Sequence, residues 1–223
     1  MIDIERNRDG EAEYGDHLSR SQRVWDRWSN WYGMSERDLE PIRNRLIGSL
    51  QLEQGDDVLD IGCGPGVNFE AITDEIGHDG TITAIDYSPE MVERARERVD
   101  AHGWGHVTVV QADATTADLG GPYDVVMATL SLSVMPDIAR AVRNIHEALA
   151  PGAILGVLDV QPFQSGLRRG FNPLLRRFLR WYANWNPDGD VRASIEDTFG
   201  GYETLETMTL GTIYAITAWK EER

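Results

Sequence analysis

Three aspartates and a run of glycines stand where chemistry could be done. Gly62, Gly64 and Gly66 follow the strand-like run Asp57-Val58-Leu59-Asp60-Ile61. A Gly-x-Gly-x-Gly turn at a strand's carboxyl end lets the backbone approach a ligand closely, because a Cβ at any of the three would fill that space. Asp60, two residues before the turn, sets a carboxylate beside the ligand's polar end, which repels a pyrophosphate and tolerates an ammonium or sulfonium. Asp86 ends the next apolar run, and an acid at the tip of a second parallel strand can accept hydrogen bonds from both hydroxyls of a ribose. In Gln111-Ala112-Asp113-Ala114, Asp113 can accept from an adenine exocyclic amine while the Ala114 N–H donates to a ring nitrogen. Together these residues describe a site for a cationic adenine nucleoside. They depart from the dinucleotide fingerprint, whose sixth position, counted from Gly62, is Val67 here.

Such a site needs strands that end at one edge and helices that return the chain. Strand-like runs over 81–85, 107–110, 123–128 and 153–160 alternate with helical ones over 89–101 and 137–149, which predicts parallel strands with helices on both faces. The runs 202–209 and 212–219, separated by Leu210-Gly211, read as a hairpin whose second strand lies antiparallel to the rest. Upstream, residues 1–14 are charged with little to bury and predict a mobile segment. Two helical stretches follow from Ser19 to Leu50, the second opening with Ser35-x-x-Asp38. The expected organisation is a mobile N-terminus over 1–14, a helical cap over 15–54 and an α/β domain over 55–223.

Composition narrows the partners. The 223 residues carry a formal charge of −16, which argues against nucleic acid. Lys220 is the only lysine, and this acidic, lysine-poor composition resembles that of proteins from halophilic organisms. A charged N-terminus without an apolar stretch, and the absence of any 18-residue apolar run, point to the cytoplasm. Cys63 stands alone, so no disulfide forms within the chain, and it reads as a small packed residue. One segment opposes the global charge: between Val160 and Pro187 lie Arg168, Arg169, Arg176, Arg177 and Arg180 with no acid. There Phe171, Leu174, Leu175, Phe178, Leu179 and Tyr182 recur at helical spacing. This basic amphipathic helix, within 165–187, covers the acceptor site, touches a membrane surface, or packs its apolar face on the core as a lid.

Val58-Leu59-Asp60-Ile61-Gly62-Cys63-Gly64-Pro65-Gly66, Asp86-Tyr87-Ser88-Pro89-Glu90-Met91 and Gln111-Ala112-Asp113-Ala114 closely resemble three ordered motifs of class I S-adenosylmethionine-dependent methyltransferases. Leu149-Ala150-Pro151-Gly152 is similar to the turn before that family's fifth strand. The resemblance implies an α/β, Rossmann-like, doubly wound seven-stranded sheet of order 3-2-1-4-5-7-6 with strand 7 antiparallel. It implies S-adenosyl-L-methionine as cofactor and S-adenosyl-L-homocysteine as product. Its cofactor site would comprise Tyr32, Asp60, Gly62, Gly64, Gly66, Asp86, Tyr87, Met91, Asp113, Ala114 and Thr129, with no metal. The flanks Trp25-Asp26-Arg27-Trp28-Ser29-Asn30-Trp31-Tyr32 and Gly66-Val67-Asn68-Phe69 look like those of the quinone-biosynthesis and phosphatidylethanolamine N-methyltransferase groups, although Gly33 stands where those groups have an aspartate after the tyrosine.

Methyl transfer from a sulfonium needs in-line alignment and exclusion of water, and a base only for some acceptors. Residues at the carboxyl ends of the fourth and fifth strands, Thr129, Ser131, Ser133, Asp159 and Gln161, are the polar candidates, with Asp159 preferred as the catalytic one. After the fourth strand, Ala128-Thr129-Leu130-Ser131-Leu132 lacks the Asn/Asp-Pro-Pro-aromatic signature of nucleic-acid amine methylation, which favours a small-molecule or lipid acceptor. The competing readings are a non-catalytic protein that binds an adenosyl ligand and a nicotinamide-dependent dehydrogenase.

Overall fold

A computed structural model describes residues 2–28 and 32–222, with side chains over 11–27 and 39–222. Its elements run α1 (Ile2–Trp28), α2 (Tyr32–Ser49), β1 (Asp57–Ile61), α3 (Phe69–Ile76), β2 (Thr81–Asp86), α4 (Pro89–His102), β3 (Val107–Gln111), β4 (Tyr123–Thr129), α5 (Ile138–Ala148), β5 (Leu149–Val160), α6 (Asn172–Ala183), α7 (Val191–Phe199), β6 (Glu203–Met208) and β7 (Ile213–Trp219). Short 3-10 turns over Leu132–Val134 and Leu167–Phe171 follow β4 and precede α6.

The seven strands form one sheet in the order β3-β2-β1-β4-β5-β7-β6. β1 pairs parallel with β2 and β4, and β7 pairs antiparallel with β5 and β6. This is the topology expected from the three motifs and the C-terminal hairpin. It follows from burial on both faces: central strands such as β4 present a nearly unbroken apolar run, and only covering helices on each side can bury it.

Alternate residues divide the core into two layers. Leu59, Val126, Leu155 and Ile216 face α5 and α7 through Val142, Ile145 and Ile195. Val58, Val125, Met127 and Ile154 face α2, α3 and α4 through Leu46, Ile72 and Val92. Helix ends carry their own signals. Ser88 caps α4 by accepting from the Met91 N–H, with Pro89 in the first turn, and Gly103 ends that helix in the left-handed region.

Three elements differ from the sequence reading. β5 begins at Leu149 rather than at 153, because Leu149 pairs with Tyr123 and an irregularity between Tyr123 and Val125 takes up the Pro151-Gly152 turn. α1 begins at Ile2 and runs unbroken to Trp28, so helical backbone spans the stretch expected to precede the first helix. On α6, no apolar residue is fully buried: Leu175, Leu179 and Tyr182 are half-buried against the body, while Leu174, Phe178 and Trp181 stand exposed.

Those burial differences set opposite expectations for two aliphatic residues. Ile145→Ala, at a fully buried position, should lower unfolding free energy by about 2–5 kcal/mol, whereas Leu174→Ala on α6 should change it by less than about 0.5 kcal/mol, as read by urea denaturation.

Candidate active site

The carboxyl ends of β1, β2 and β4 open into a cleft enclosing about 740 Å³, part of it open to solvent. Gly62, Gly64, Asp86, Tyr87, Met91, Asp113, Ala114 and Thr129 all line it, so the fold gathers eight of the sequence-derived positions on one wall. Gly62 has φ +65°, and a Cβ there would lie 2.2 Å from Ser131 Cβ, so the close approach of the loop after β4 excludes any side chain.

Asp86 ties this wall together. Its Oδ2 accepts from the Gly64 N–H at 2.9 Å and its Oδ1 from the Ser88 N–H at 2.8 Å. The tip of β2 thereby holds both the glycine turn and the start of α4. Burial raises its pKa to about 6, against the opposing pull of the Ser88, Gly64 and Tyr87 N–H groups. A carboxylate offers about four acceptor positions and the Gly64, Ser88 and Tyr87 N–H groups draw on up to three, which leaves room for a further donor from the cleft.

Asp113 also faces the cleft but is engaged by this chain itself. Its Oδ1 accepts from the Thr115 N–H at 2.9 Å, and its Oδ2 accepts from the Thr116 hydroxyl at 3.2 Å and from the hydroxyl of Tyr14. Burial and the Asp113 carboxylate push the Tyr14 phenol well above its ordinary pKa, so it stays a donor. The sequence offered no signal for Tyr14, which arrives from the far end of the chain on α1.

α1 forms the roof, contributing Leu18, Ser21, Gln22 and Trp25 to the lining. Four tethers set it in place: Tyr14 on Asp113, His17 Nε2 donating to the Val134 carbonyl at 2.8 Å, the Asn184 amide donating to Ser21 Oγ at 2.7 Å, and Ser88 Oγ donating to Asp26 at 2.7 Å. Burial lowers the His17 pKa, and the ring is not among the residues lining the cleft.

Three of the sequence-derived residues, Asp60, Gly66 and Asp159, are not among those lining the cleft. Asp60 lies behind the wall, fully buried, where the Asn68 amide donates to both its oxygens at 3.2 and 3.0 Å and to Thr129 Oγ1 at 3.1 Å. Burial raises its pKa to about 7, and through Asn68 it links β1 to the start of α3 and to β4, outside the cleft lining. Gly66 serves packing, since a Cβ there would meet the Phe69 ring at 2.3 Å. Asp159 is also fully buried and accepts from the Ser133 N–H at 2.9 Å, the Ser133 hydroxyl at 2.5 Å and the Val160 N–H at 2.7 Å. Burial raises its pKa to about 6. Its bonds brace the 3-10 turn after β4, and the preferred catalytic role does not follow from this position.

Of the other polar candidates, Ser131 lines the cleft while its hydroxyl donates to the Ile61 carbonyl at 2.8 Å, and Gln161 is bonded to Gly211 in the hairpin. Cys63 is buried and burial raises its thiol pKa, as befits a packed residue. The side chain of Tyr32 lies outside the described residues. Leu130 was missed altogether: it lines the cleft with φ +55°, a conformation costly for leucine, and its N–H donates to Leu158 at 2.7 Å.

Comparisons with known proteins agree with this geometry. Residues 58–152 match the family described as a methyltransferase domain. The chain is 28% identical over 159 residues to the aklanonic acid methyltransferase DauC of Streptomyces sp. strain C5, covering 68% of this chain and 72% of that one. It is 27% identical over 136 residues to the demethylmenaquinone methyltransferase of Listeria welshimeri, covering 60% and 58%. The phosphoethanolamine N-methyltransferase 2 of Haemonchus contortus, solved with phosphomonomethylethanolamine and S-adenosylhomocysteine, has the same fold with a TM-score of 0.68 at 16% identity, over 82% of this chain and 53% of that one. The matched domain and the methyltransferase relatives support S-adenosylmethionine-dependent methyl transfer by this chain, with S-adenosylmethionine as the cofactor, and the shared fold agrees with them.

The carboxylate at the β2 tip sets a pH dependence. Affinity for S-adenosylhomocysteine should fall as pH drops through about 6, because protonation of Asp86 removes an acceptor. Asp86→Asn should weaken binding about 10- to 100-fold at pH 8, the loss of a hydrogen bond to a charged group, and flatten the low-pH limb in titration calorimetry.

Proposed function

We propose that this enzyme methylates a small apolar or amphipathic acceptor whose nucleophilic atom needs no base from the protein. Asp86 carries the cofactor half of this reading, because its carboxylate reaches the cleft while already fixing the glycine turn beside it. The backbone at Gly62 and Gly64, with Asp86, Tyr87 and Met91, would hold the ribose and methionine portions. Asp113 and Ala114 would flank the base, and Thr129 would stand at the polar end. S-adenosylmethionine, when bound, supplies a sulfonium methyl group already activated for displacement.

The cleft's own chemistry supports the acceptor half. Among the described residues, its titratable lining groups are Asp86, Tyr87 and Asp113. Both aspartates are committed to donors of this chain, and Asp159 is sealed behind the 3-10 turn. What remains is positioning: Leu18, Trp25, Val134, Met135 and Pro136 exclude water around the acceptor's path. An ionised carboxylate or acidic phenol, or a neutral amine, can attack without help under these conditions. The names of the related proteins give aklanonic acid, demethylmenaquinone and phosphomonomethylethanolamine, all small molecules, which supports a small-molecule acceptor.

Calorimetry with S-adenosylmethionine, S-adenosylhomocysteine and NAD tests the site, and we expect the two adenosyl ligands to bind and NAD not to. NAD binding with neither adenosyl ligand bound would refute it. Incubation with methyl-labelled donor and panels of aromatic acids, quinols and ethanolamine phosphates tests the acceptor. Transfer should persist within a few-fold in Asp159→Asn, since that side chain only braces a turn. Tight donor binding with no transfer to any acceptor would favour a non-catalytic binding protein.

A further inference from the structure

We propose that α6 and the 3-10 turn before it form a docking face for an anionic lipid surface. Leu167, Phe171, Leu174, Phe178 and Trp181 are 98%, 62%, 69%, 50% and 63% exposed. Leu174, Phe178 and Trp181 follow at intervals of four and three on α6 and share one helical face, and Leu167 and Phe171 extend the exposed apolar surface on the 3-10 turn before it. Leu175, Leu179 and Tyr182 are half-buried and turn a different face toward the body. A continuous stripe of large apolar residues standing in water is the signature of a surface that meets another apolar medium.

Charge selects that medium. Arg168, Arg169, Arg176, Arg177 and Arg180 are all exposed, no acid lies between Val160 and Pro187, and among the described residues none of the five forms an ion pair. The whole chain is at −16, so the body is repelled by an anionic surface while this one face is drawn to it. The Debye length at about 0.1 M salt, roughly 10 Å, is comparable to a helix diameter, so arginines on the flank and the back of the helix all contribute. Self-association through the same stripe would face these arginines against their own copies with no acid to pair with them. A soluble polyanion would answer the arginines and leave the phenylalanines, leucines and tryptophan in water. An anionic bilayer answers both, with Trp181 suited to the headgroup level. This docking does not depend on which acceptor is methylated.

Sedimentation of the full chain with vesicles of phosphatidylglycerol and with vesicles of phosphatidylcholine tests the proposal. We expect binding to the first at about 0.1 M salt, weakening at about 1 M, and at least tenfold weaker partition to the second. Phe178→Ser with Trp181→Ser, and separately Arg176→Gln with Arg177→Gln and Arg180→Gln, should each lower partition to phosphatidylglycerol by tenfold or more. Both variants should keep wild-type affinity for S-adenosylhomocysteine, which certifies the fold and separates this test from that of the cofactor site. The proposal is overturned if the wild-type chain stays in the supernatant with phosphatidylglycerol, or binds both vesicles equally. It is overturned equally if either variant binds like wild type, or if Phe178→Ser dissolves a dimer in solution while vesicle binding is absent.

Discussion

A single carboxylate, that of Asp86, joins the two loops on which the cleft is built. The N–H of Gly64 belongs to the turn after β1 and the N–H of Ser88 to the first residue before α4, and both point at Asp86. Without that acceptor, two backbone donors would lie half-buried and unsatisfied, and the turn would lose its reference to the sheet. The same residue lines the cleft, so under the proposed cofactor placement the bond that organises these loops would also prepare the ligand site. Preorganisation of this sort keeps the cost of ordering low when the ligand arrives.

Asp60, Asp86 and Asp159 all sit near strand ends, yet they have different work because they have different neighbours. Each is raised in pKa by burial, to about 7, 6 and 6. A folded-state value above the unfolded one means these groups favour the folded state most at acidic pH and lose that contribution as pH rises through the interval from about 4 to 7. Asp60 and Asp159 are reconciled to burial by amide, hydroxyl and backbone donors and so become parts of the frame. Asp86 is left with a face toward solvent and remains available for binding.

The N-terminal helix α1 and the helix α6 inserted between β5 and β6 treat their apolar faces in opposite ways. α1 spends Leu18 and Trp25 on roofing the cleft and is tethered at several points to loops from β2, β3 and β4. α6 touches α1 through Asn184 at its end but leaves its aromatic stripe outside. Roof and stripe are therefore mechanically adjacent.

Much of this was legible in the chain. Apolar runs ending in Gly62, Asp86 and Asp113 announced parallel strands and a nucleoside cleft, because strand ends and tight turns are local and carry their own residue chemistry. The C-terminal hairpin was legible from the turn residues around Gly211. What only the tertiary structure decided were facts about who lies next to whom at long separation. Asp159 reads in the chain as a polar strand-end candidate, whereas the fold sets Ser133 on it; Asp60 reads as a carboxylate beside the ligand, whereas the fold sets Asn68 on it; and Tyr14 has no visible role until α1 brings it to Asp113. Periodicity likewise shows that a helix has an apolar face but not whether anything covers it, since burial depends on where the helix lands and not on its own residues. That is why α6, read as one of three kinds of helix, became an exposed surface only once the sheet and its neighbours were in place.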